Sequence, residues 1–227
     1  FIRSDFVRLG VIADGMGGHN AGDIASDMAI TKIGKFFENA TPQHFYSENS
    51  IKQWFLHAVG KINRLIFDYS LTHEDCQGMG TTFLAIVITD NQKVLCHIGD
   101  SRAYGVHAGV LNQLTRDHSY VNVLVENGEI SEEEAQSHPK KNLITKSLGT
   151  EKTIEPDFFS LMNPTYSYLL LCSDGLSNKL SIDDMTNILS TNASIHEKGK
   201  HLVDLANEKG GEDNISLVLI NNTKEEV

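Results

Sequence analysis

Aspartates recur at the ends of apolar runs in this sequence. Asp14 follows Val11-Ile12-Ala13 and opens Asp14-Gly15-Met16-Gly17-Gly18; Asp100 follows the run 94–99, Asp174 follows 168–173, and Asp213 precedes the run 215–220. Short apolar runs of this kind read as buried strands, and a carboxylate at a strand end can leave the core. If the four strands neighbour one another, the four carboxylates converge at one edge of a sheet. Two carboxylates about 4 Å apart repel by roughly 4 kcal/mol at an effective dielectric near 20, so a cluster needs cations or protons. With oxygen donors only, and neither His nor Cys among them, the hard ions magnesium, manganese or calcium are favoured over zinc. Two such ions sharing a carboxylate can lower the pKa of a water and clamp a phosphoryl oxygen, as in in-line displacement at phosphorus.

The elements that must position these residues follow from periodicity. Three glycines in the four residues after Asp14 let the main chain turn and its carbonyls approach a ligand closely. Ile24, Ala25, Met28, Ala29, Ile33, Phe36 and Phe37 then recur at helical spacing over 21–37, and Trp54, Phe55, Ala58, Val59, Ile62, Leu65, Ile66 and Tyr69 do so over 51–69. Trp54 is expected in the core. Runs 81–89 and 93–99 flank Asp90-Asn91-Gln92, and runs 102–106 and 110–114 flank His107-Ala108-Gly109, two hairpin signals in succession that imply antiparallel pairing. Thr81 and Thr82 read as packing and hydrogen-bonding residues, because no general base accompanies them. Arg102 is expected to pair with Asp100 in preference to contacting substrate. Segments 122–127 and 131–136 read as helices broken by Gly128, the second capped by Ser131 with Glu132, Glu133 and Glu134 in its first turn, a solvated acidic face. Further strands are expected over 6–13, 144–148, 158–161 and 168–172. Helices are expected after Ser181 and over 196–209, with Gly210-Gly211 ending the latter.

Composition narrows the functional classes. At 227 residues the chain suits a single domain, 1–227, with a substantial core and no internal repeat or linker. A net charge of −11 argues against nucleic acid and against an acidic membrane surface as partners. Cys76, Cys96 and Cys172 lack metal or Cys-x-x-Cys spacing and read as reduced, mostly buried thiols of a cytoplasmic protein. The longest aliphatic run, 84–88, is far short of a membrane span.

Six stretches in order carry a resemblance: Val11-Ile12-Ala13-Asp14-Gly15-Met16-Gly17-Gly18-His19, Gly78-Met79-Gly80-Thr81-Thr82, His97-Ile98-Gly99-Asp100-Ser101-Arg102, Leu114-Thr115-Arg116-Asp117-His118, Cys172-Ser173-Asp174-Gly175-Leu176 and Glu212-Asp213-Asn214-Ile215. Nearly the whole chain resembles the metal-dependent protein phosphatases of type 2C in their bacterial form. The resemblance implies an α+β fold, an α-β-β-α sandwich of two antiparallel sheets flanked by helix pairs. It also implies a phosphoserine and phosphothreonine phosphatase that reverses a cognate bacterial serine/threonine kinase, uses manganese or magnesium, and acts as a monomer. By the same resemblance Asp14 bridges two core ions, the Gly15 carbonyl completes the first, and Asp174 and Asp213 hold the second. Asp100 and Asp174 hold a third, weaker ion. A water between the core ions attacks phosphorus without a phosphoenzyme, His19 is the candidate general acid, and 118–144 is the flap beside the active site. Lys140 and Lys141 within that flap are expected simply on the surface.

One departure accompanies the match. Members of the family carry, upstream of the first strand, an arginine that binds the substrate phosphate and an acidic motif that supports the metals. The chain begins at Phe1 and holds neither, so either this chain is truncated or the protein lacks a phosphate clamp; Arg3-Ser4-Asp5 lies too near Asp14 to take the role, and the substrate-binding residue is unassigned. The four carboxylates favour an enzyme. The missing arginine favours the alternative, a pseudophosphatase that binds metal and a phosphoprotein partner as a regulatory module.

Overall fold

The central strands are apolar on both faces, which requires a cover on each side. In the strand Phe83–Ile88 every residue is buried: Phe83, Ala85 and Val87 pack toward one layer and Leu84, Ile86 and Ile88 toward another. Tyr168–Cys172 divides the same way, with Leu169 and Leu171 on one side and Leu170 and Cys172 on the other. The computed structural model in which this is seen describes residues 2–3, 7–18 and 20–222.

The strands are β1 Ile2–Arg3, β2 Arg8–Ile12, β3 Gly15–Met16, β4 Gly80–Thr81, β5 Phe83–Ile88, β6 Lys93–Ile98, β7 Arg102–His107, β8 Val110–Gln113, β9 Asp157–Ser160, β10 Tyr168–Cys172 and β11 Leu217–Asn221. They form a five-stranded sheet in the order β1-β2-β5-β6-β9, a four-stranded sheet in the order β11-β10-β7-β8, and a two-stranded ribbon β3-β4. All pairings are antiparallel. Helices α1 Ala21–Glu38 and α2 Glu48–Thr72 cover the outer face of the larger sheet, with Ala25, Ala29, Ile33 and Phe37 of α1 and Ile51, Phe55, Ile62 and Ile66 of α2 in that core. Between the sheets lie Ile12, Leu84, Ile86, Leu95, Ala103, Leu169, Leu171 and Ile220. The smaller sheet is covered by three helices that follow a pair over the flap, α3 Tyr120–Glu126 and α4 Glu132–Ser137: α5 Asp174–Ser177, α6 Ile182–Leu189 and α7 Ile195–Glu208. The four layers match the expected sandwich, with Trp54 and all three cysteines buried.

Two expectations need correction. Residues 144–148 form no strand; Ile144 and Leu148 each make one isolated bridge, to Ser119 and Thr81, because the flap returns across two different elements. The short helix α5 directly after the Asp174 turn was not expected. Phe6, the proposed start of the first strand, lies outside the described residues. None of the described helices is long and apolar enough to cross a membrane.

Candidate metal centre

Asp14 sits between β2 and the ribbon strand β3, and its main chain is held on both sides. Its N–H donates to Thr82 Oγ1 at 2.9 Å, while its carbonyl accepts the Thr82 N–H at 2.8 Å and the Thr81 hydroxyl at 3.0 Å. The Thr81-Thr82 pair thus does the hydrogen bonding its sequence position suggested. Gly15 must be glycine, since a Cβ there would run into the Gly22 carbonyl in the first turn of α1.

Asp174 and Asp213 come from neighbouring strands of the other sheet. The Ser173 N–H donates to the Ser216 carbonyl at 3.0 Å, the Ser216 N–H donates to Ser173 Oγ at 3.0 Å, and the Ser173 hydroxyl donates to the Asn214 carbonyl at 3.1 Å. These bonds lock the exit of β10 to the approach of β11. Asn178 Nδ2 donates to Asp174 Oδ2 at 3.1 Å, and Asp213 Oδ1 accepts the Asn214 N–H at 2.8 Å. Asp100 follows β6 on the same sheet as Asp14. The aspartates therefore do not share one sheet edge, as adjacent strands would have implied; they meet at one end of the sandwich, two from each sheet.

Their proximity is read in their acidity. Burial, then the charges of Asp174 and Asp213, push Asp14 up to about 7, and Asp14 and Asp174 share a hydrogen bond. Burial, then Asp174 and Asp117, push Asp100 up to about 7. Asp174 is raised by burial and by Asp213. Among the described residues no three His, Cys, Asp or Glu side chains make a ready metal cage; the acids are gathered as overlapping pairs. Carboxylates held at this cost to their charged form, with oxygen donors only and a carbonyl at the adjacent Gly15, fit a hard divalent cation.

Arg102, whose charge acts on Asp174, is already engaged. Arg102 pairs with Asp117, not with the expected Asp100: Nη2 donates to Oδ2 at 2.7 Å and Nε lies 3.0 Å from both oxygens. Asp117, fifteen residues on and carried past β8, appeared in the sequence only inside a motif, and nothing local marked it as the partner. A cleft of about 800 Å³ runs from Asp100 and Asp174 past Arg102 and Asp117 to Asn122 and Lys141 on the flap. No thiol is poised as a nucleophile: burial pushes Cys172 up to about 12 and raises Cys96 well above its usual range, while Cys76 is buried. His19 lies outside the described residues.

Residues 2–216 match the family described as protein phosphatase 2C. The chain is 40% identical to the serine/threonine phosphatase stp of Listeria monocytogenes, over 97% of this chain and 86% of that protein. The solved serine/threonine phosphatase of S. agalactiae superposes with a TM-score of 0.87 at 41% identity, covering 94% of this chain and 86% of the other. The catalytic domain of the serine threonine protein phosphatase PstP in complex with two manganese ions does so with a TM-score of 0.80 at 32% identity, covering 96% and 92%. A match of this extent, over a carboxylate cluster drawn from both sheets, makes the chain a member of the protein phosphatase 2C family.

Proposed function

We propose that the chain hydrolyses phosphoserine and phosphothreonine in phosphorylated proteins, in a metal-dependent reaction that reverses a cognate serine/threonine kinase. The observation that carries this reading is the meeting of Asp14 and Asp100 with Asp174 and Asp213 from the two sheets, within a family whose relatives are named serine/threonine phosphatases. In this reading Asp14, the Gly15 carbonyl, Asp174 and Asp213 hold two manganese or magnesium ions, and Asp100 with Asp174 holds a third, weaker one. When bound, such ions place positive charge on phosphoryl oxygens and lower the pKa of a water.

The chain's own residues supply the rest. Thr81 and Thr82 keep Asp14 from swinging, and Ser173 keeps Asp174 in register with Asp213. The cleft beside Asp100 and Asp174 takes the peptide around the phosphorylated residue, with the flap 118–144 as its far wall. As the family resemblance implies, the phosphoryl group passes directly to water without a phosphoenzyme; the buried thiols are not poised to intercept it. His19 is proposed to protonate the leaving oxygen. A monomer in the cytoplasm completes the reading.

Phosphate release from a phosphothreonine peptide tests it. Release with manganese that stops in EDTA is the expected result. No release with manganese, or release indifferent to EDTA, overturns it.

A further inference from the structure

Behind the Asp100 turn lies a pair of histidines that the carboxylate chemistry does not use. His97 on β6 is fully buried, and His118 stands at the root of the flap; their rings stack with centroids 4.8 Å apart and planes 18° apart. Hydrogen bonds set both tautomers. His118 Nδ1 accepts the Gly99 N–H at 3.0 Å, so its proton is on Nε2, which donates to Asp157 Oδ2 at 3.1 Å. Lys146 meets the other Asp157 oxygen at 3.4 Å. His97 Nε2 donates to the Ser101 carbonyl at 3.0 Å, which leaves His97 Nδ1 without a partner among the described residues. Burial, helped by the neighbouring His118, pushes His97 down to about 3, so its ring is neutral.

The main chain of His118 is engaged as well. Its N–H donates to the Gly99 carbonyl at 2.8 Å, and its carbonyl accepts the Thr145 N–H at 2.8 Å, at the other end of the flap. Gly99 has a φ of +106°, and a Cβ there would press on Thr82 at 2.7 Å. Thr82 is the residue that holds the Asp14 amide, and its hydroxyl lies 2.8 Å from Ser101 Oγ. The exits carrying Asp14 and Asp100 and both ends of the flap thus meet around one imidazole.

We propose that His118 is a positioning residue: by gripping the Gly99 peptide through Nδ1 and main chain while Asp157 holds its Nε2–H, it fixes where Asp100 stands and ties that position to the seating of the flap. The functional half of this proposal rests on Asp100 being part of the metal centre.

Nitrogen-15 NMR of the metal-free wild type is expected to show His118 as the Nε2–H tautomer and a protected Gly99 amide. His118→Ala should speed Gly99 exchange about tenfold, the equivalent of one hydrogen bond, and lower kcat for the phosphothreonine peptide in manganese. His118→Asn places a side-chain oxygen where Nδ1 stood and should restore both, although it loses the stacked ring as completely as alanine does. A residue that served only to pack would make the two variants alike. An Nδ1–H tautomer in the wild type, Gly99 exchange unmoved by alanine, kcat unmoved by a freed Gly99, or equal behaviour of the two variants overturns the proposal. If the alanine variant does not fold, the wild-type tautomer and the asparagine variant decide. Tautomer and exchange need neither metal nor substrate, so a wild type that released no phosphate would count against the phosphatase reading while Gly99 still decided the grip.

Discussion

Two sets of half-buried charge line the same cleft, Arg102 with Asp117 on one side and Asp100 with Asp174 on the other. Burial works against the Arg102 charge, yet the hydrogen bonds and charge of Asp117 more than offset it and hold the guanidinium above its ordinary range. The four aspartates have no ion-pair partner among the described residues, and burial and mutual repulsion push Asp14 and Asp100 up instead. One set is closed within the chain; the other, in the proposed reading, is completed by a cation from outside. On that reading the difference separates buried charges that hold the fold together from those that serve the chemistry, and the Asp117 pairing explains why Arg102 is not free to bridge to Asp100.

Variants can break that contrast. Asp174→Asn removes the carboxylate that shares a hydrogen bond with Asp14 and feels the charge of Asp213, and should lower kcat/KM on a phosphothreonine peptide by more than the roughly 10–100-fold typical of losing an outer partner of a metal site. A manganese titration of activity checks it, and full activity would remove Asp174 from the centre. Arg102→Ala strands Asp117, whose side chain is 12% exposed, and should cost about 1–3 kcal/mol in urea unfolding, below the figure for wholly buried pairs because Arg102 is 26% exposed. Asp14→Asn should do the reverse in EDTA and raise the thermal midpoint, since it removes a charge the metal-free cluster disfavours. If both variants were destabilising, the two sets would not differ as argued.

The half of the site that sequence made legible is the half that depends on strand ends. An aspartate after a buried run has little choice of place, and Asp14, Asp100 and Asp174 stand where the pattern put them. Which sheet each strand joined was not legible, because the runs of β5 and β10 are apolar on both faces and periodicity cannot say what covers them. Long-range partners were hidden for a related reason. Asp117 reaches Arg102 only after β7 and β8 have formed their hairpin, and Gly99 meets His118 only after the same reversal. His97 did leave a signal, a lone imidazole inside the apolar run Val94-Leu95-Cys96-His97-Ile98, but a buried histidine names no partner in advance.

Proton linkage sharpens the contrast further. Asp14 and Asp100 rise from 3.8 to about 7 in the folded metal-free chain, so between these values the folded state binds more protons than the unfolded one. Stability in EDTA should therefore fall as pH rises from about 4 to 7, and manganese should restore more of the thermal midpoint at the upper end of that window than at the lower. A midpoint that rose with pH in EDTA would show that other groups dominate.

The smallest effect belongs to a third pair, of which Arg116 lines the same cleft. Arg116 and Glu126 lie 3.4 Å apart with side chains 50% and 57% exposed. Water screens such a pair, and holding two long side chains together costs rotamer freedom, so Glu126→Gln should change unfolding stability by less than about 0.5 kcal/mol. It should leave the pH dependence in EDTA unchanged as well. A loss as large as that from Arg102→Ala would mean that charge pairing, irrespective of burial, sets the energetics of this cleft. A negligible loss beside a large one at Arg102 would assign the difference to desolvation, the same quantity that pushes Asp14 and Asp100 up.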